Sequence, residues 1–172
     1  MVKIIFIRGA PAVGKTTITK QILKILKKEH NLNCAYICED DFRKQMQFKY
    51  KAKDIITHKN SVELIKTVIL KLLQLDDYDL IFIEGQFRYK EILDKYMDFI
   101  SENKFEPLIF QFELDFEEMK KRDLELRGTK SKDIQEVKND IDSYIPKNAV
   151  IIETKKPLEE TIKEVLSKLI FN

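Results

Sequence analysis

The stretch Lys3-Ile4-Ile5-Phe6-Ile7-Arg8-Gly9-Ala10-Pro11-Ala12-Val13-Gly14-Lys15-Thr16-Thr17 decides the fold of this chain. It opens as a short apolar run rich in β-branched residues, which predicts a strand. Past Gly14 it continues into a stripe at Ile18, Ile22, Ile25 and Leu26 whose spacing predicts an amphipathic helix. Between strand and helix, residues 9–16 match G-x-x-x-x-G-K-[ST]. Glycines there let the backbone curl until successive amide N–H groups point inward at a phosphate, and the start of the helix adds the positive end of its dipole. In that frame Lys15 reaches β- and γ-oxygens, the Thr16 hydroxyl sits on Mg²⁺, and Thr17 adds an α-phosphate contact. Gly9, Ala12, Val13, Gly14, Lys15, Thr16 and Thr17 are therefore the expected cofactor-binding set, with ATP and Mg²⁺ as cofactors. The competing account, a glycine turn with an incidental lysine, requires all four fixed letters to fall by accident between a strand and a helix.

Working outward, further apolar runs at 33–38, 79–84, 107–114 and 149–153 alternate with segments of helical period. That alternation predicts an α/β fold, a parallel sheet with helices on both faces. Leu80-Ile81-Phe82-Ile83 and Val150-Ile151-Ile152 are continuously apolar, as strands covered on both sides are. Helical stripes run through Val62, Ile65, Ile69, Leu72 and Leu73, through Ile92, Leu93, Tyr96, Met97 and Ile100, and through Leu158, Ile162, Val165, Leu166 and Leu169. Asp115 and Glu118 have capping-box spacing ahead of another helix. No repeat or linker interrupts the 172 residues, so one domain spanning 1–172 is expected. Segments 43–59 and 128–133 fit no element.

With 44% hydrophobic and 35% charged residues and no apolar run near the ~18 residues of a membrane span, no membrane partner is expected. The apolar start is too short for a signal peptide and leads into the glycine loop. Cys34 and Cys38 would share a strand face with Cα atoms too far apart to bridge, so free thiols in a reducing cytoplasm are expected. His30 and His58 form no metal-ligand pattern with them.

In an open parallel sheet, chemistry gathers at the carboxyl ends of the strands. Here both nearby ends are acidic: Glu39-Asp40-Asp41-Phe42-Arg43 follows the second strand and Glu84-Gly85-Gln86-Phe87-Arg88 the third. A kinase needs one carboxylate to receive the proton of the acceptor hydroxyl and another acid to help hold Mg²⁺. Asp40 is assigned the first task, against the alternative of a plain helix cap. Glu84 is assigned the second, because an acid directly after four apolar strand residues is a costly place for an idle charge.

These residues carry a resemblance. The chain resembles the small P-loop kinases of the group that includes polynucleotide 5′-hydroxyl kinases, chloramphenicol phosphotransferase, zeta toxins and bacterial kinases of the AAA family ATPase type. The likeness covers essentially the whole chain and rests on the 9–16 loop, on Asp40-Asp41-Phe42-Arg43, which is similar to the D-x-x-R element of polynucleotide kinases, on Glu84-Gly85, and on Arg122 and Arg127. It implies a P-loop NTPase three-layer sandwich with a five-stranded parallel sheet in the order 2-3-1-4-5. It also implies Asp40 as general base and Arg43 as the residue orienting an acceptor's phosphate. Two features depart from the group: Glu84 stands where several members have aspartate, and Arg122 and Arg127 are farther apart than the usual lid arginines.

A lid is expected at 120–133, where Arg122 and Arg127 precede a hinge glycine, Gly128. Only five of the 31 basic residues are arginines, so Arg8, Arg43, Arg88, Arg122 and Arg127 are read as an anion-handling rim. Segment 43–59 holds six basic residues against the single acid Asp54, interleaved with Phe48 and Tyr50. That mixture suits a nucleic-acid end or a nucleotide as acceptor; the alternative is a solvated flank and a neutral small alcohol, antibiotic or sugar. A nucleotide-dependent switch and a nucleic-acid-binding NTPase use the same loop, although no N-K-x-D motif is present. Oligomeric state is left open.

Overall fold

The computed structural model describes residues 2–46, 54–127 and 133–170. In chain order the elements are β1 (Lys3–Gly9), α1 (Lys15–His30), β2 (Cys34–Cys38), α2 (Glu39–Met46), α3 (Ile55–Leu75), β3 (Leu80–Gly85), α4 (Lys90–Glu102), β4 (Pro107–Glu113), α5 (Phe116–Arg127), α6 (Ile134–Asp142), β5 (Val150–Glu153) and α7 (Leu158–Ile170). The strands form one five-stranded sheet in the order β2-β3-β1-β4-β5, every pair parallel. The class, the strand order and the two covering helix layers agree with the sequence reading.

Strand alternation splits the core in two. Ile5 and Ile7 of β1, with Phe82, Phe110 and Phe112, face a core completed by α1 and α7. Ile4, Phe6, Ile81, Ile83 and Ile109 point the other way, to α3 and α4. On that second face Phe6, Phe87 and Tyr96 meet edge to face, with centroids 5.5–5.6 Å apart. The packing holds Phe87 in a left-handed backbone conformation, φ 45°, which a bulky residue adopts only when its surroundings impose it.

Two helices go beyond the expected set. α2 occupies the start of the segment that fitted no element: with Glu39, Asp40 and Asp41 in its first turn and Arg43 and Lys44 in its last, it is stabilised through its dipole rather than by an apolar stripe. α6 buries Ile134, Val137 and Ile141 at helical spacing. The Asp115 cap is present, its carboxylate accepting the Glu118 amide at 2.9 Å. Both cysteines are free thiols. No helix among the described residues is long and apolar enough to cross a membrane.

Arg8 differs from its expected place on an anion rim. β1 is the central strand, so the side chain is wholly buried. Its guanidinium donates to Gln111 Oε1 at 2.6 Å, to the Ile141 carbonyl at 3.0 Å and to the Phe87 carbonyl at 3.3 Å. Burial pushes its pKa down to about 10, against the upward pull of Asp142, Tyr144 and Glu113, so it stays a cation at neutral pH. Arg8 thus ties β1 to β4, to the loop after β3 and to α6. Arg8→Met leaves those acceptors buried and unpaired while relieving the cost of a buried charge, and a net loss of about 2–4 kcal/mol is expected. Urea unfolding should show a lower midpoint at an unchanged slope.

Candidate active site

The sheet register sets the site. Ile7 pairs with Glu84 and Cys38 pairs with the same Glu84, so the carboxyl ends of β1, β2 and β3 finish level with one another, beneath the glycine loop. A Cβ on Gly9 would lie 2.6 Å from the Phe112 carbonyl oxygen, so only glycine fits where the loop leaves the sheet. Gly14 turns the chain into α1 at φ 88°, and Ala12 holds φ 61°. The Lys15 ammonium, 8% exposed, folds back over the loop and donates to the Gly9 and Ala10 carbonyls at 2.8 and 2.9 Å. Val13 buries its side chain in the core, so it presents only backbone to the loop's concave side.

Thr16 and Glu84, 68 residues apart in sequence, meet directly: the Thr16 hydroxyl donates to Glu84 Oε1 at 2.5 Å. The Tyr36 hydroxyl donates to Glu84 Oε2 at 2.7 Å. Glu84 is 2% exposed, a burial that a carboxylate tolerates because both oxygens are hydrogen-bonded. Burial, followed by the bond to Glu84, raises the Tyr36 phenol far above its ordinary value and keeps it a donor. A hydroxyl and a carboxylate at a helix N-terminus make an oxygen donor set that fits a hard cation such as Mg²⁺, which takes few protein ligands and fills its remaining positions with water and phosphate oxygens.

Beside the loop, Ala12, Gly14 and Thr17 form one wall of a cavity of about 310 Å³ whose other walls include Ile18, Arg122, Thr154, Lys156 and Leu158. The cleft also takes in the Glu125 carboxylate, so apolar side chains, two cations and one acid share it. Arg122 is positioned there by Glu118 Oε1 and the Thr154 carbonyl, both at 3.1 Å. Arg127 ends α5, but its side chain and residues 128–132, with Gly128 and most of the expected hinge, lie outside the described residues.

On the acceptor side, Asp40 stands in the first turn of α2 with about a third of its side chain exposed, and it accepts a hydrogen bond from Arg43. Arg43 also lies 3.4 Å from Glu39 Oε1 and faces the ring nitrogens of His58. Glu39 and His58 were given no site role from the sequence, although both left a signal. Glu39 follows the apolar β2 just as Glu84 ends the apolar β3, and it is fully buried. His58 continues the Val62, Ile65, Ile69 stripe of α3 by one turn and is 5% exposed. The Ser61 hydroxyl is shared between the His58 carbonyl at 2.9 Å and Glu39 Oε1 at 3.3 Å. Among the described residues Glu39 Oε2 has no hydrogen-bond partner, and it lies 2.6 Å from where a Gly85 Cβ would be, so a larger residue at 85 would displace this carboxylate. Arg88 leaves the expected rim: it binds Asp140 and, at 2.5 Å, Glu136, anchoring α6 to the end of β3. The part of segment 43–59 that holds Phe48, Lys49, Tyr50, Lys51 and Lys53 is outside the described residues.

No protein-family model matches the sequence, and no curated protein matches it significantly. Solved structures do match. The Mycobacterium tuberculosis APS kinase, determined with AMPPNP and APS, superposes with a TM-score of 0.71 over 98% of this chain and 97% of that one, at 14% identity. A sugar kinase from a Janibacter species gives 0.69 over 98% and 95%, also at 14% identity. A gluconokinase from Sinorhizobium meliloti gives 0.67 over 97% and 91%, at 12% identity. The chain has the fold of the small P-loop kinases over essentially its whole length.

Proposed function

We propose that this protein is an ATP-dependent kinase that transfers the γ-phosphoryl group of Mg²⁺-ATP to a hydroxyl acceptor placed over the carboxyl ends of β2 and β3. The observation that carries the reading is the Thr16 to Glu84 bond at the mouth of the glycine loop: it brings together a hydroxyl and a carboxylate 68 residues apart in sequence, and that pairing supports a cation-holding role. Loop amides and Lys15 bind the β- and γ-phosphates, Thr17 and Arg122 flank the nucleotide cavity, and Thr16 with Glu84 would hold the Mg²⁺. The cation's contribution is to neutralise charge on the phosphate oxygens. Asp40 accepts the proton of the attacking hydroxyl, Arg43 positions the acceptor, and Arg122 with Arg127 stabilises charge on the transferred group. The kinase names of the structural neighbours support this reading.

For the acceptor, Arg43 beside Asp40 favours an anionic molecule, such as a polynucleotide 5′-hydroxyl end or a nucleotide. A second reading, a neutral alcohol such as a sugar or an antibiotic, is favoured by the engagement of Arg43 with Asp40, Glu39 and His58 and by its 8% side-chain exposure. Incubation with [γ-³²P]ATP and 5′-hydroxyl oligonucleotides, 3′-nucleotides, sugars and chloramphenicol-like alcohols tests both. Labelling of an anionic acceptor, with a KM that rises severalfold in Arg43→Ala and with added salt, supports the first. Labelling of a neutral alcohol with a salt-independent KM supports the second. ATP binding with no labelled acceptor in any class points to a nucleotide switch instead.

A further inference from the structure

We propose that Tyr36 is a positioning residue for the divalent cation: its hydroxyl fixes the plane of the Glu84 carboxylate so that the opposite oxygen is presented to Thr16 and to the ion. The inference rests on reading Thr16 and Glu84 as the cation-holding pair. β2 pairs with β3 so that Tyr36 lies opposite Phe82 and Cys38 opposite Glu84. Tyr36 and Glu84 are therefore diagonal neighbours on one face of the sheet, a separation that a tyrosine spans and a shorter polar side chain does not. The two donors divide the carboxylate between them, Tyr36 on Oε2 and Thr16 on Oε1. The terminal torsion of a glutamate is soft, with broad and nearly equivalent wells. One donor alone leaves the group free to rotate, whereas two on different oxygens fix its orientation. The Tyr36 ring itself packs against the core that α1 covers, so the phenol has little freedom of its own.

The alternative is that Tyr36 only satisfies a buried oxygen and has no influence on the cation. ADP binding to the wild-type protein, Tyr36→Phe, Glu84→Gln and the double variant separates the two. Each is titrated by calorimetry in EDTA and across a Mg²⁺ series, and Mn²⁺ binding with ADP is followed by electron paramagnetic resonance. Phe keeps the ring, and a thermal melt verifies that each variant is folded. The expected result is an apparent cation affinity on the order of tenfold weaker in Tyr36→Phe, as partners of metal-holding groups typically contribute. ADP affinity in EDTA stays within about twofold of wild type. The double variant binds the cation no more weakly than Glu84→Gln alone, because Tyr36 acts only through Glu84. Wild-type cation affinity in Tyr36→Phe, or additive losses in the double variant, overturns the inference and leaves the kinase reading standing. A parallel loss of ADP affinity in EDTA overturns it as general damage to the loop. Wild-type ADP binding that is indifferent to Mg²⁺ removes the cation site and the inference together.

Discussion

Lys15→Ala is expected to lower phosphoryl transfer by at least about 10²–10³-fold while the protein remains folded. The lysine is the one cation of the 9–17 loop, and it is aimed across the loop's own carbonyls, Gly9 and Ala10. A nucleotide phosphate entering the loop replaces those carbonyls with charged oxygens, a stronger partner for an ammonium group. Stability is expected to fall as well, by about 1.5–3 kcal/mol as for hydrogen bonds from a charged group, too little to account for the loss in turnover of the folded protein. Steady-state transfer from [γ-³²P]ATP, alongside a thermal melt, measures both. Lys15→Arg should not rescue transfer, because a planar fork does not fit where a compact point charge is held between two carbonyls. If Lys15→Ala keeps more than about a tenth of wild-type turnover, the loop is not holding the transferred phosphate.

Asp40→Asn is expected to cost on the order of 10²–10⁴ in kcat with ATP affinity little changed, as for the loss of a general base. The substitution is close to isosteric, and the amide oxygen still accepts from Arg43, so α2 keeps its place. The neighbouring acids serve as internal controls. Asp41 is exposed and pairs with Lys44 at 3.1 Å on the surface, so Asp41→Asn should behave as wild type. Glu39 is fully buried and bound by Arg43 and Ser61, so it cannot meet an acceptor hydroxyl; Glu39→Gln should act on stability and acceptor KM rather than on the proton transfer. Pre-steady-state kinetics resolve the chemical step from product release. A larger kcat loss in Asp41→Asn than in Asp40→Asn moves the base by one residue.

The layered fold and the glycine turn between β1 and α1 were both readable in the sequence, because each is written in short-range chemistry. A glycine pair, a lysine and a threonine at fixed offsets between an apolar strand and an apolar helix stripe leave few conformations open, and alternating runs of strand and helix period force helices onto both sheet faces. Asp40 and Glu84 are assigned their roles by position, as acids at strand ends, and Glu39 satisfies the same rule as Glu84. What separates Glu39 from Asp40 is which one α2 turns into the core. α2 has no apolar stripe to declare itself, so that orientation is settled only when the helix packs on α3. The same holds for the arginines. Scarcity among many lysines marked all five as special, yet Arg8 and Arg88 hold α6 against the sheet, Arg88 through the carboxylates of α6 itself, rather than facing a ligand. Tyr36 had no local signal at all, since its role depends on the β2–β3 register that sets it diagonal to Glu84. Fold class and the glycine turn ahead of α1 follow from sequence patterns a few residues long. The tertiary structure alone decided which polar side chains face one another, because a one-residue change in strand register or a quarter turn of α2 would exchange their partners while leaving every local pattern intact.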